Sequence, residues 1–76
     1  MREIVMIKSK NILSKHPSVN KSNVGELEVI VKRAPFDMRH GNWKTFGASD
    51  DQVLVLNETF NQGLSYHDFK NAVSIL

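Results

Sequence analysis

Hydrophobic and polar positions change rhythm several times along this chain, and each change predicts an element. Ile4-Val5-Met6-Ile7 is continuously apolar and bounded by Glu3 and Lys8. A short run of that kind suits a strand covered on both faces, so Arg2 to Lys8 is predicted as a strand. From Ser9 to Asn23 the chain turns polar. Ser, Asn and Lys dominate, Pro17 interrupts, and Ile12-Leu13 is the one large apolar pair. This stretch reads as a long loop with a helical turn at most, near residues 11–15.

Between Glu26 and Arg33 the pattern alternates. Leu27, Val29 and Val31 fall on one side, and Glu28, Ile30 and Lys32 on the other, which predicts a second strand. Pro35 has no N–H for a ladder and should end it. Turn residues then run from Asp37 to Asn42, and Gly41 is free to take a positive φ. Trp43 to Phe46 is expected to return as the partner strand of a hairpin.

Residues 49–62 carry two signals at once. Ser49-Asp50-Asp51-Gln52 is a capping box, with two aspartates where a helix dipole favours negative charge. That predicts a helix from Asp50 to about Gln62, closed by Gly63. Val53-Leu54-Val55-Leu56, in contrast, has the alternating β-branched look of a buried strand. On a helix, Val53, Leu56 and Phe60 would share a face and Val55 would fall off it. The strand is the preferred reading of 52–57. The end of the chain is plainer. Ser65 can cap, Asp68 follows three residues on, and Phe69, Ala72, Val73 and Leu76 recur at helical spacing. A helix from Tyr66 to about Ile75 is expected.

These elements add up to an α+β domain: a small antiparallel sheet of three to four strands with the C-terminal helix packed on one face. Residues 1–76 form one domain, without repeats or a dividing linker. Composition narrows the picture further. Hydrophobic residues at 41% suffice for a globular core and argue against disorder. There is no cysteine, which removes disulfides, thiolate-ligated zinc and thiol catalysis. The longest apolar runs are too short to span a bilayer, and Met1-Arg2-Glu3 opens no signal-peptide pattern. The expectation is a soluble cytoplasmic protein with no membrane partner.

Charge adds the one hint of a partner. From Met1 to Ala48 there are nine basic residues against four acidic; from Ser49 onward there is one, Lys70, against four. Asp50, Asp51 and Asp68 sit where helix first turns would use them. The basic residues fall in two stretches, 8–21 and 32–44, read as loops and strand ends. Lys8, Lys10, Lys15, Lys32, Arg33, Arg39 and Lys44 could meet phosphates or an acidic protein face, and Phe36 or Trp43 could stack on a base. A single Trp in so short a chain reads first as a core anchor.

Catalytic and metal chemistry find little footing. His16, His40 and His67 are 24 and 27 residues apart, unlike the close pairs of metal sites. No nucleophile elbow, P-loop or dinucleotide fingerprint occurs, and capping accounts for Ser65 and Asp68 without catalysis. No cofactor is expected. A helix-turn-helix built from 50–62 and the last helix would carry only Lys70 on the helix entering the groove, with Asp68 near its start. The preferred expectation is a non-enzymatic protein-interaction module, an inhibitor or adaptor that uses a strand edge or the apolar side of the last helix. The alternative is a small nucleic-acid-binding module using the basic loops.

Overall fold

The structure, a computed structural model, describes residues 2–39 and 41–76. His40, counted above with the basic stretch and the histidines, lies outside them. Among the described residues there are four α-helices and no strand: α1 (Arg2–Lys15), α2 (Val24–Arg33), α3 (Asp50–Asn61) and α4 (Tyr66–Ile75). Two short 3₁₀ turns, Phe36–Met38 and Trp43–Phe46, lie between α2 and α3. The expected α+β fold with its antiparallel sheet is therefore overturned. The fold is all-helical.

Each misassigned strand has a specific cause. In α2, Val24, Leu27, Ile30 and Val31 are buried, and Ala34 just beyond continues the row. That is helical spacing, and it rotates Val29 outward and Ile30 inward, the reverse of the alternation. Glu26 in the first turn and Lys32 and Arg33 in the last both suit the helix dipole. Pro35 does act as a stop, but of a helix: Ala34 before it is extended, at φ −82° and ψ 121°. The Arg39 side chain then caps the exposed carbonyls, donating from Nη2 to Val31 O at 2.8 Å and from Nε to Ala34 O at 3.0 Å. Trp43 to Phe46, expected as a returning strand, is a 3₁₀ turn closed by Gly47 at φ 99°.

The first helix absorbs both the predicted N-terminal strand and half of the predicted loop. Ser9 and Ile12 are buried on it, with Val5 and His16 half-buried in line. The inward row thus includes a serine and a histidine while Ile4 and Ile7 point out. The apolar period was hidden for that reason. What remains of the loop is the polar link after Lys15. There Asn20 Oδ1 accepts from the Ser22 N–H and Asn23 Oδ1 from the Asn20 N–H, both at 2.8 Å.

At 50–62 the capping box decides the outcome. Ser49 Oγ accepts from the Gln52 N–H at 3.3 Å, and Gln52 Oε1 accepts from the Ser49 N–H at 2.9 Å. The strand preferred for 52–57 is overturned. The helix closes in a Schellman motif: Leu64 N–H reaches Thr59 O, Gly63 N–H reaches Phe60 O, and Gly63 has φ 76°. Its buried face is also not the one expected. Val55, Leu56 and Thr59 are buried, Val53 and Phe60 are half-buried, and Leu54 falls outside. The last helix follows expectation at its start, where Ser65 Oγ accepts from the Asp68 N–H at 3.2 Å.

One apolar cluster joins all four helices. It includes Ile12 of α1, Leu27 and Ile30 of α2, Val55 and Leu56 of α3, and Phe69 and Val73 of α4. Trp43 enters the same cluster from its 3₁₀ turn and is completely buried. The last helix packs on α1, α2 and α3, and the Trp43 turn bridges α2 and α3. Two polar contacts tie α2 to α4 over a long sequence separation. The Tyr66 hydroxyl donates to Val24 O, and Lys70 Nζ pairs with Glu28.

Candidate interaction surfaces

The structure disperses the nominated residues, and most of the basic ones are engaged within the chain. Lys8 Nζ donates to Gln62 O at 2.7 Å, serving the C-terminal end of α3. Lys15 pairs with Glu58 at 3.0 Å, Lys32 with Glu28 at 3.0 Å, and Lys44 with Asp50. Arg39 caps α2. Lys10 and Arg33 are exposed and form no ion pair among the described residues. The lysine pairs are largely solvent-facing, so each contributes little to stability and exchanges readily. Trp43 is no stacking platform in this fold. Its ring stacks at 5.4 Å on Phe60, and its indole N–H donates to Asn57 Oδ1 at 2.9 Å.

Phe36 is placed differently. It is 84% exposed, the most exposed large apolar side chain described. The Arg39 guanidinium lies 4.3 Å from its ring centroid. Since Arg39 is itself pinned to two α2 carbonyls, the pair is held at a fixed corner of the molecule. Beside it opens a shallow pocket lined by Phe36, Arg39, Gly41, Asn57, Phe60 and Asn61. The sequence marked Phe36 and Arg39. It gave no sign of Asn57, Phe60 and Asn61, which α3 brings across from residues far along the chain.

A second, more apolar groove of about 610 Å³ lies between the start of α1 and the end of α4. Val5, Met6, Ala72 and Ile75 form its walls, with Asp68, Asn71 and Ser74 along the α4 side. Around it the chain exposes large apolar side chains: Ile4 at 57%, Ile7 at 59% and Ile75 at 72%, with Leu76 beside them in sequence. None of these α1 residues was nominated. The signal was present in the Ile4–Ile7 run, but the strand reading assigned both of its faces to a core.

Electrostatic perturbation concentrates at the helix contacts rather than at either surface. Lys70, and then Lys32, hold the Glu28 carboxyl down at about 2. Lys15, helped by Gln62, lowers Glu58. Burial, reinforced by Glu28, pushes the Tyr66 hydroxyl well above its ordinary value. All three are accounted for by packing and ion pairing between helices. Among the described residues no group of His, Asp and Glu is arranged to hold a metal ion. None of the described helices is long and apolar enough to cross a membrane.

With 50–62 helical, α3, the Gly63 turn and α4 do reproduce the outline of a helix-turn-helix. Its chemistry is unsuited to DNA. Tyr66, Phe69, Ala72 and Val73 of the second helix are buried, Lys70 is paired with Glu28, and Asp68 stands exposed in the first turn. No protein-family model matches this chain, and no curated protein or solved structure matches it significantly.

Proposed function

We propose that this chain is a small protein-interaction module, non-enzymatic, that docks on a larger partner through the first two turns of α1 and the end of α4. One observation carries the reading. Ile4 and Ile7 in the first two turns of α1 are 57% and 59% exposed, beside Val5 and Met6, which are half-buried and line the groove against Ala72 and Ile75. With Ile75 exposed across the groove, the two helix ends offer a continuous candidate for the apolar centre of an interface.

The nucleic-acid reading has less support. Affinity for phosphate backbones grows with the number of free cations brought together. Here Lys15, Lys32 and Lys44 each pair with a carboxylate of the chain, and Trp43 is buried away from stacking.

The test uses a double substitution at exposed positions, Ile4→Glu plus Ile7→Glu. Tagged protein is incubated with extract of the source cells, with and without nuclease treatment. Recovery of one stoichiometric protein by the parent chain, lost with the double variant while its circular dichroism is unchanged, supports the reading. Recovery that survives the substitutions, or disappears with nuclease, overturns it. So does sedimentation showing that the face merely joins two copies of this chain.

A further inference from the structure

We infer that the Phe36–Arg39 corner is a second docking site, and that it takes an acidic segment of a protein partner carrying an aromatic or aliphatic side chain. The site is separate from the α1–α4 face and does not depend on it.

The aromatic is unusually well prepared for contact. Pro35 fixes the backbone just before Phe36 at φ −59°, and the residue itself begins a 3₁₀ turn. The guanidinium 4.3 Å from the ring centroid restricts the ring further, and two carbonyls of α2 hold that guanidinium. A side chain already fixed loses little entropy when a partner covers it. An exposed, rigid aromatic beside an arginine is the composition of a binding hot spot. The shallow pocket next to it is lined on the α3 side by Phe60, so a partner's apolar side chain has a ring on either hand.

Charge selects the partner. Among the described residues, Arg39 is the charged one that lines the pocket. Arg33 stands three residues before Phe36, outside the pocket lining, with its guanidinium on the side of Gly47, so it adds charge near the site rather than a contact in it. It is exposed and has no ion pair among the described residues. Asp37 is the lone acidic residue between positions 32 and 44. Asn57 Oδ1 already accepts from Trp43, so its amide N–H₂ is the part left to bond a ligand, and that group donates. Cations and donors around an apolar centre complement carboxylates. A single-stranded nucleic acid would also find a ring to stack on. It would find few free cations, because Lys32 and Lys44 are paired with Glu28 and Asp50.

The probes are short capped peptides of Glu and Asp with a central Leu, Phe or Trp, the same peptides with a central Ala, and oligo(dT). Each is titrated into ¹⁵N-labelled full-length protein and followed by amide chemical shifts. The expected result is a set of shifts confined to the backbone around Phe36, Arg39, Asn57, Phe60 and Asn61, produced by the apolar-centred acidic peptides. Phe36→Ala and Arg33→Glu, both at exposed positions, should each weaken that binding by about tenfold or more, as loss of a hot-spot contact does. Loss of binding with both variants, their spectra otherwise unchanged, supports the site. Three outcomes overturn it: no shifts at this corner with any acidic peptide, equal binding by the Ala-centred peptides, or tighter binding of oligo(dT). None of these bears on the Ile4 and Ile7 test, so the two sites stand or fall separately.

Discussion

The indole N–H of Trp43 donates to the Oδ1 of Asn57 at 2.9 Å, linking a 3₁₀ turn to the middle of α3. Trp43 is fully buried, so this bond answers the one polar group of the largest side chain in the core. Its ring is fixed at the same time by stacking on Phe60, one turn further along α3. Asn57 therefore does two things. It seats the tryptophan, and it is one of the residues lining the Phe36 pocket.

Replacing Asn57 by Ala should leave the indole N–H buried without a partner and cost about 1–3 kcal/mol. Because Trp43 is the sole tryptophan, its fluorescence reports unfolding directly in a urea titration. A midpoint unchanged from the parent would mean that the bond does not hold the turn to α3.

Stability should be limited on both sides of neutral pH by the contacts that join α2 to α4. Glu28 is held at about 2 by Lys70 and Lys32, below its unfolded value of 4.5. Its contribution is therefore complete above about pH 4.5 and is lost as pH falls toward 2. Glu28→Gln should be less stable than the parent at pH 7, and the difference should vanish near pH 2. On the alkaline side Tyr66 is raised by burial, so its contribution is complete below about pH 10 and is lost as pH rises further. Tyr66→Phe should flatten that limb. Urea midpoints across pH check both, and differences that stay constant with pH would contradict the assignment.

Ser9 is fully buried in α1, and its hydroxyl finds no partner among the described residues. Removing a buried group of that kind relieves its desolvation, and Ala is also the better helix former. Ser9→Ala should therefore stabilise the protein by about 1 kcal/mol, read as a rise in the urea midpoint. A loss of stability would show that the hydroxyl is bonded in solution.

The local signals in the sequence were reliable at helix ends, where a capping side chain or a glycine's positive φ acts within one turn. Ser49 with Gln52, Gly63 and Ser65 each marked a helix boundary that the structure keeps. Pro35 marked a stop, although the element it ends is a helix. The apolar pattern was less reliable because it was read with the wrong period. Leu27-Glu28-Val29-Ile30-Val31 satisfies both a period of two and a period near 3.6. Only the partner surfaces on α4 and the Trp43 turn determine that Ile30 goes in and Val29 goes out.

The candidate surfaces divide in the same way. Phe36 and Arg39 could be picked out singly, as a ring and a cation of the basic stretch; that the two meet follows from the 3₁₀ turn between them. Asn57, Phe60 and Asn61 could not, since they reach the pocket only through the packing of α3 on the Trp43 turn. The basic stretches were visible as charge. That Lys8, Lys15 and Lys44 would find partners within the chain was not visible, because Gln62, Glu58 and Asp50 approach them only after folding.

By itself the sequence determined the caps and stops of the last two helices, the burial of the single tryptophan as the first reading, and the lack of any thiol chemistry. The tertiary structure decided that α1 and α2 are helices at all and which basic residues stay free. It also decided which apolar residues of the Ile4–Ile7 run are left uncovered. The physical reason is range. A cap is a hydrogen bond within one turn, so it is written in adjacent residues. The choice between helix and strand for a Val- and Ile-rich segment rests on which packing buries more apolar surface, and for α1 the surface on α4 that decides it lies more than 50 residues away in the chain.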